Sequence, residues 1–185
     1  YEIRLSLVGS EMCIRDRGST GAARGAVSLH IVATPGCLLT DQYQDFPIVP
    51  GGRPVTAAGA VKMLEDGTVE NGQEVHVQCS IRGPAPYQVL ATISTGQSIQ
   101  KRFIDFGALM AVGIPSLDTL VVATPDLPES YGSGLPELCT YTATFVDPIA
   151  GKASGSFVCG RFEGFRAKDT CQVGESYFAL ENCSQ

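Results

Sequence analysis

Six cysteines, Cys37, Cys79, Cys139, Cys159, Cys171 and Cys183, lie in a chain whose clearest segments alternate apolar and polar residues, and this combination constrains the fold most. None of the six belongs to a C-x-x-C pair, the tight knuckle from which structural zinc sites usually draw their thiolates. An even set of dispersed cysteines in a Gly-rich, Trp-free, strand-patterned chain reads as structural disulfides, and hence as a domain made for an oxidising compartment.

Strand periodicity is plainest in Glu74-Val75-His76-Val77-Gln78-Cys79-Ser80-Ile81, where Val75, Val77, Cys79 and Ile81 fall on one face. Tyr87, Val89, Ala91 and Ile93 repeat the pattern after Arg82-Gly83-Pro84-Ala85-Pro86, so the two runs form a hairpin. In a second hairpin Cys139, Tyr141, Ala143 and Phe145 share the inward face and Thr140, Thr142 and Thr144 the outward one. Asp147-Pro148-Ile149-Ala150-Gly151 supplies the turn, and Ala153, Gly155, Phe157 and Cys159 face inward on the return. This register sets Tyr141 opposite Phe157 and Cys139 opposite Cys159.

Further strands are expected at Val27–Thr34, Ala60–Leu64, Ser98–Phe106, Leu117–Thr124 and Glu175–Cys183. Gly107–Gly113 is the only helical candidate, and Leu39–Thr56 reads as a long connection. About eight short strands with Gly/Pro/Asp/Asn turns imply an all-β fold, an antiparallel β-sandwich stapled by disulfides. On that layout Cys159 with Cys171 is the first choice of bridge and Cys139 with Cys159 its direct competitor. Cys37 with Cys79 follows mainly by elimination.

The seventh cysteine, Cys13, sits in Tyr1–Arg17, whose sequence YEIRLSLVGSEMCIRDR resembles a translated sequencing-adapter read-through. Glu11, Arg15, Asp16 and Arg17 arrive too early for a signal peptide, which needs a longer apolar run and a small-residue cleavage site. We therefore expect residues 1–17 to be a non-native leader and residues 18–185 a single β domain, long enough to bury a substantial core.

The formal charge is −6 and is the same with or without the leader. An acidic chain has no electrostatic attraction for phosphate backbones or anionic lipid, which disfavours nucleic acid and membrane-surface partners. No apolar run is long enough for a helical transmembrane span. Charged residues make up 17% of the chain, below the roughly 25% of an ordinary soluble domain, as is common in exported β proteins with hydroxyl-rich outer faces.

Catalytic and cofactor signatures are missing. His30 and His76 are the only histidines, and Gly132-Ser133-Gly134 and Ser154-Gly155-Ser156 lack the spacing of a nucleophile elbow. Phosphate-cradling and dinucleotide motifs are absent, so no catalytic, cofactor or metal residue is assigned. Two oxygen-rich patches suit calcium by composition: Asp41, Gln42, Gln44 and Asp45, and Asp126 with Glu129; neither has the ligand spacing of a recognised loop. Arg161-Phe162-Glu163-Gly164-Phe165-Arg166-Ala167-Lys168 mixes aromatics with cations, a composition found at contact surfaces. Asn182-Cys183-Ser184 fits the glycosylation pattern, which bacterial origin would make idle.

The C-terminal third, from Cys139-Thr140-Tyr141-Thr142-Ala143-Thr144-Phe145 through Gly155-Ser156-Phe157-Val158-Cys159 to Cys171 and Tyr177-Phe178-Ala179-Leu180-Glu181-Asn182-Cys183, resembles a family of small exported or lipid-anchored β proteins of Gram-negative bacteria. These share a strand cysteine, a G-x-F-x-C strand, a loop cysteine and a terminal F-x-F-E-N-C, of which Ala179-Leu180 replaces part here. The resemblance implies a β sandwich of the periplasm, outer membrane or extracellular space, and supplies no catalytic residues. The expectation is a non-enzymatic envelope or secreted protein with a structural or interaction role, its partner an envelope or extracellular protein or glycan. The alternative is a carbohydrate- or calcium-binding accessory module using Tyr43, Tyr131 or Phe165 as a stacking platform.

Overall fold

A computed structural model of the chain describes residues 21–46, 55–56, 59–60, 63–96, 102–124, 127–134 and 137–185. Residues 1–17, expected above to be a leader, lie outside them. The strands are β1 (Arg24–Val32), β2 (Gln42–Phe46), β3 (Val55–Thr56), β4 (Gly59–Ala60), β5 (Leu64–Glu65), β6 (Val69–Glu70), β7 (Gln73–Arg82) and β8 (Tyr87–Thr95). They continue with β9 (Arg102–Met110), β10 (Pro115–Asp118), β11 (Leu120–Ala123), β12 (Tyr131–Ser133), β13 (Cys139–Asp147), β14 (Lys152–Gly164) and β15 (Thr170–Glu181). Among the described residues there is no helix.

The all-β, antiparallel character is as expected; the eight-strand sandwich is not. Thirteen strands share one sheet ordered β2-β1-β15-β14-β12-β11-β9-β8-β7-β6, with β13 and β10 branching from β14 and β5 attached to β1. β14 makes the branch possible because its 13 residues serve two neighbours. Lys152–Cys159 pairs with β13 and Glu163–Gly164 with β12. Leu117–Thr124 breaks at Thr119, so β10 pairs with β13 while β11 returns to β9. The helical reading of Gly107–Gly113 fails because β9 runs on to Met110, paired with Tyr87, and turns at Val112-Gly113. The connection Leu39–Thr56 contains β2, an edge strand on β1.

Both hairpins adopt the expected register. Ile81 pairs with Val89 and Val77 with Ile93, and Tyr141 lies opposite Phe157. Phe145 is the exception, because a bulge between Ala143 and Phe145 adds a residue and turns the ring outward, leaving it 48% exposed. Gly155, the glycine of the G-x-F-x-C strand, is required by close approach: a Cβ there would meet the Thr142 carbonyl oxygen at 2.4 Å and the Ala143 Cα at 2.9 Å.

The sheet folds over on itself, and the facing arms form one core. Phe106 of β9 stands between them, its ring 5.9 Å from Tyr141, 6.4 Å from Phe157 and 5.3 Å from Phe178. Backbone bonds tie β7 to the turn after β5 and to the segment after β15. Gly67, in the β5–β6 turn, donates its N–H to Val75 of β7, and Ile81 of β7 donates to Ser184 beyond β15.

Three disulfides join Cys37 to Cys171, Cys79 to Cys183 and Cys139 to Cys159. Cys139 with Cys159 follows from the hairpin register. Cys159 with Cys171 is incorrect because β14 continues past Cys159, so Cys171 lies opposite Phe162 while Cys159 lies opposite Val173. Cys37 with Cys79 is incorrect as well. The turn after β1 carries Cys37 to the start of β15, where Thr34 donates to the Thr170 carbonyl, and the overfolded sheet brings Cys183 beside β7.

Candidate functional site

Arg161–Gly164 forms the end of β14, and Phe165–Lys168 is the loop that follows, held by bonds within itself and from Glu129 and Ser130. β14 ends at Gly164 and β15 begins at Thr170, so the loop is a tight connection between paired strands. Within it, Lys168 donates its N–H to the Gly164 carbonyl and Gly164 donates to that of Asp169. From outside, Phe165 donates to the Ser130 carbonyl. The Glu129 carboxylate accepts the backbone N–H groups of Arg166 and Ala167, the latter at 2.8 Å.

Asp169 anchors the base of the loop. Its buried carboxylate accepts the Tyr131 hydroxyl at 3.0 Å and the Leu38 N–H at 3.0 Å, beside the Cys37–Cys171 bridge. The Cys37 and Cys171 sulfurs and this carboxylate lie within 4.8 Å of one another, a metal-like spacing. Bonded to each other, the two sulfurs offer no thiolate, and the carboxylate already has donors.

Tyr131 is therefore a structural residue and not an exposed platform; it is fully buried and stacks 5.7 Å from Phe162. Burial pushes its phenol pKa far up, with the Asp169 hydrogen bond and charge adding to the effect. Tyr141, also fully buried and donating to the Thr119 carbonyl at 2.9 Å, is raised mainly by burial and then by the Asp118 and Asp105 charges. Both phenols thus keep their protons in the fold above the ordinary value of 10.0, where the unfolded chain loses them. The folded state then binds more protons, so their contribution is intact below about pH 10 and declines as pH rises beyond it. Urea midpoints should hold from pH 7 to 9 and drop at pH 11; an unchanged midpoint at pH 11 would contradict this.

Phe165, half exposed, rests on Gly132 of β12. A Cβ at that glycine would come within 2.9 Å of the ring's Cζ, so only glycine leaves the ring this seat. The seated ring borders a cavity of about 250 Å³ whose charged lining residues are Glu137, Arg161, Glu163 and Lys168. Arg161 is oriented by Glu163, to which its Nε donates at 2.6 Å and its Nη2 donates as well.

The other candidate residues do not converge. His30 Nε2 meets Asp41 at 2.9 Å and its ring stacks on Tyr43 at 4.3 Å, so one face of that tyrosine is covered. The buried Ser176 hydroxyl accepts the His30 backbone N–H and donates to the Gly174 carbonyl, an arrangement of the main chain and not of a nucleophile. His76, exposed on β7, faces Glu74 at 3.7 Å.

Neither oxygen-rich patch gathers as a calcium site. Gln44 is buried, its carbonyl accepting from Arg102 and Thr124, while Asp41 turns to His30. Glu129 is committed to the loop N–H groups. The Asp45 side chain and all of Asp126 lie outside the description.

A second surface is notable for lacking charge. Phe106–Leu117 contains no ionisable residue yet exposes Leu109, Val112, Ile114 and Leu117, and the outward face continues across Thr140 to Val158. The sequence alone gave notice of the Arg161–Lys168 composition but not of Glu129 and Gly132, which act from more than 30 residues away. Comparison with protein-family models, curated proteins and solved structures finds no match to this chain, so its reading rests on the geometry above.

Proposed function

We propose that this chain is an exported, non-enzymatic protein of the cell envelope or secreted space, an interaction module that meets its partner through the Arg161–Lys168 segment. The observation carrying this reading is that a half-exposed aromatic ring is held in place by a loop with its backbone pinned. Side chains that need little ordering on contact lose little entropy, which favours binding. Aromatic and arginine residues are also the types most often found to dominate contact energy.

Three intramolecular disulfides support the assignment to an oxidising compartment, where such bonds persist. The resemblance of the C-terminal third to small exported or lipid-anchored proteins agrees with it.

The test uses the labelled full chain on isolated Gram-negative envelope fragments. Phe165→Ala and Arg161→Met should each cut saturable retention at least tenfold while leaving the urea midpoint unchanged. Equal retention of wild type and both variants would overturn the reading. So would substrate turnover that disappears on His30→Ala or His76→Ala.

A further inference from the structure

We propose that the groove beside Phe165 takes a single neutral sugar unit of a glycan. This rests on the reading of the loop as a contact surface and names its ligand.

Three features select that class. The cavity, about 250 Å³, is smaller than the roughly 300–1,000 Å³ of sites for drug-sized ligands, so it accepts one small unit. Its lining carries equal numbers of cations and carboxylates: Arg161 and Lys168 against Glu137 and Glu163. A balanced lining exerts little net pull on an ion, whereas a hydroxyl, donor and acceptor at once, finds a partner in either sign. The seated Phe165 ring then offers an apolar surface to the C–H face of a pyranose. Planar guanidinium and carboxylate groups can each hold two adjacent hydroxyls, the pairing geometry a sugar ring presents.

Preorganisation strengthens the assignment. Arg161 is already aligned by Glu163, which also accepts the Thr170 hydroxyl at 3.5 Å, so the guanidinium plane is oriented before any ligand arrives. Lys168, in the connection between β14 and β15, sits at φ +59° and lines the groove.

The experiment is saturation-transfer NMR on the full chain with methyl glycosides of glucose, galactose, mannose and N-acetylglucosamine, alongside glucuronic acid and inorganic phosphate. The expected result is a saturable signal for at least one neutral glycoside, falling at least tenfold in Phe165→Ala and in Arg161→Met. Binding by glucuronic acid or phosphate alone would overturn the neutral-sugar assignment and mark the groove as an anion site. No signal from any probe, or a neutral-glycoside signal indifferent to both substitutions, would also overturn it. If the sugars fail while envelope retention still depends on Phe165, the contact surface stands and only its ligand class is wrong.

Discussion

Replacing Cys79 and Cys183 together with alanine is expected to lower unfolding free energy by about 4 kcal/mol, and the Cys37/Cys171 pair by a similar amount, against about 3 kcal/mol for Cys139/Cys159. The order follows from how far each bridge reaches along the chain: separations of 104, 134 and 20 residues. A cross-link restricts the unfolded ensemble more when the loop it closes is longer. The two long loops overlap, so each shortens the path the other must close. Removing both bridges should therefore cost more than the sum of the separate removals. For a domain stable by about 5–15 kcal/mol, that double loss removes half or more of the stability. Urea denaturation of the three paired variants, without reductant, measures the order. Should the Cys139/Cys159 pair prove the costliest, long-range stitching is not what holds the ends of this sheet.

Phe106→Ala carries the second large effect, about 4 kcal/mol of destabilisation from lost burial and the cavity left behind. The ring is 3% exposed and stands where the arms of the sheet meet, against Tyr141, Phe157 and Phe178. The three surrounding rings belong to paired strands, which limits how far they can move into the space. Phe106→Leu should recover most of the loss, since it restores much of the volume. Phe145→Ala serves as the control: the same substitution at an outward ring should stay within about 0.5 kcal/mol. Similar midpoints for Phe106→Ala and Phe145→Ala would show that the arms do not pack through Phe106.

The bulge at Phe145 and the extension of β14 show why parts of the fold were illegible in the sequence. Strict alternation through Cys139–Phe145 puts Phe145 inside, and one extra backbone residue at the bulge puts it out. No residue type in that segment announces the insertion. Likewise, Gly160 and Arg161 end the alternation after Cys159, yet β14 continues to Gly164, and that overshoot decides the disulfide pattern. Tyr131 misled for a different reason. A tyrosine in a Gly/Ser-rich run looks like a surface aromatic, but Asp169, 38 residues later, satisfies its hydroxyl in the interior.

What the sequence determined by itself was local: the strand faces of β7, β8, β13 and β14, the register of both hairpins, and the use of cysteine as a staple. These follow from a two-residue side-chain period and from turn residues acting over a few positions. Tertiary structure alone decided which cysteines meet across the sheet, where β14 branches, and that Glu129 and Gly132 would hold Phe165 in place. Those outcomes depend on how a twisted sheet folds back on its own apolar face. That closure is set by packing between strands distant in the chain, on which neighbour-to-neighbour periodicity carries no information.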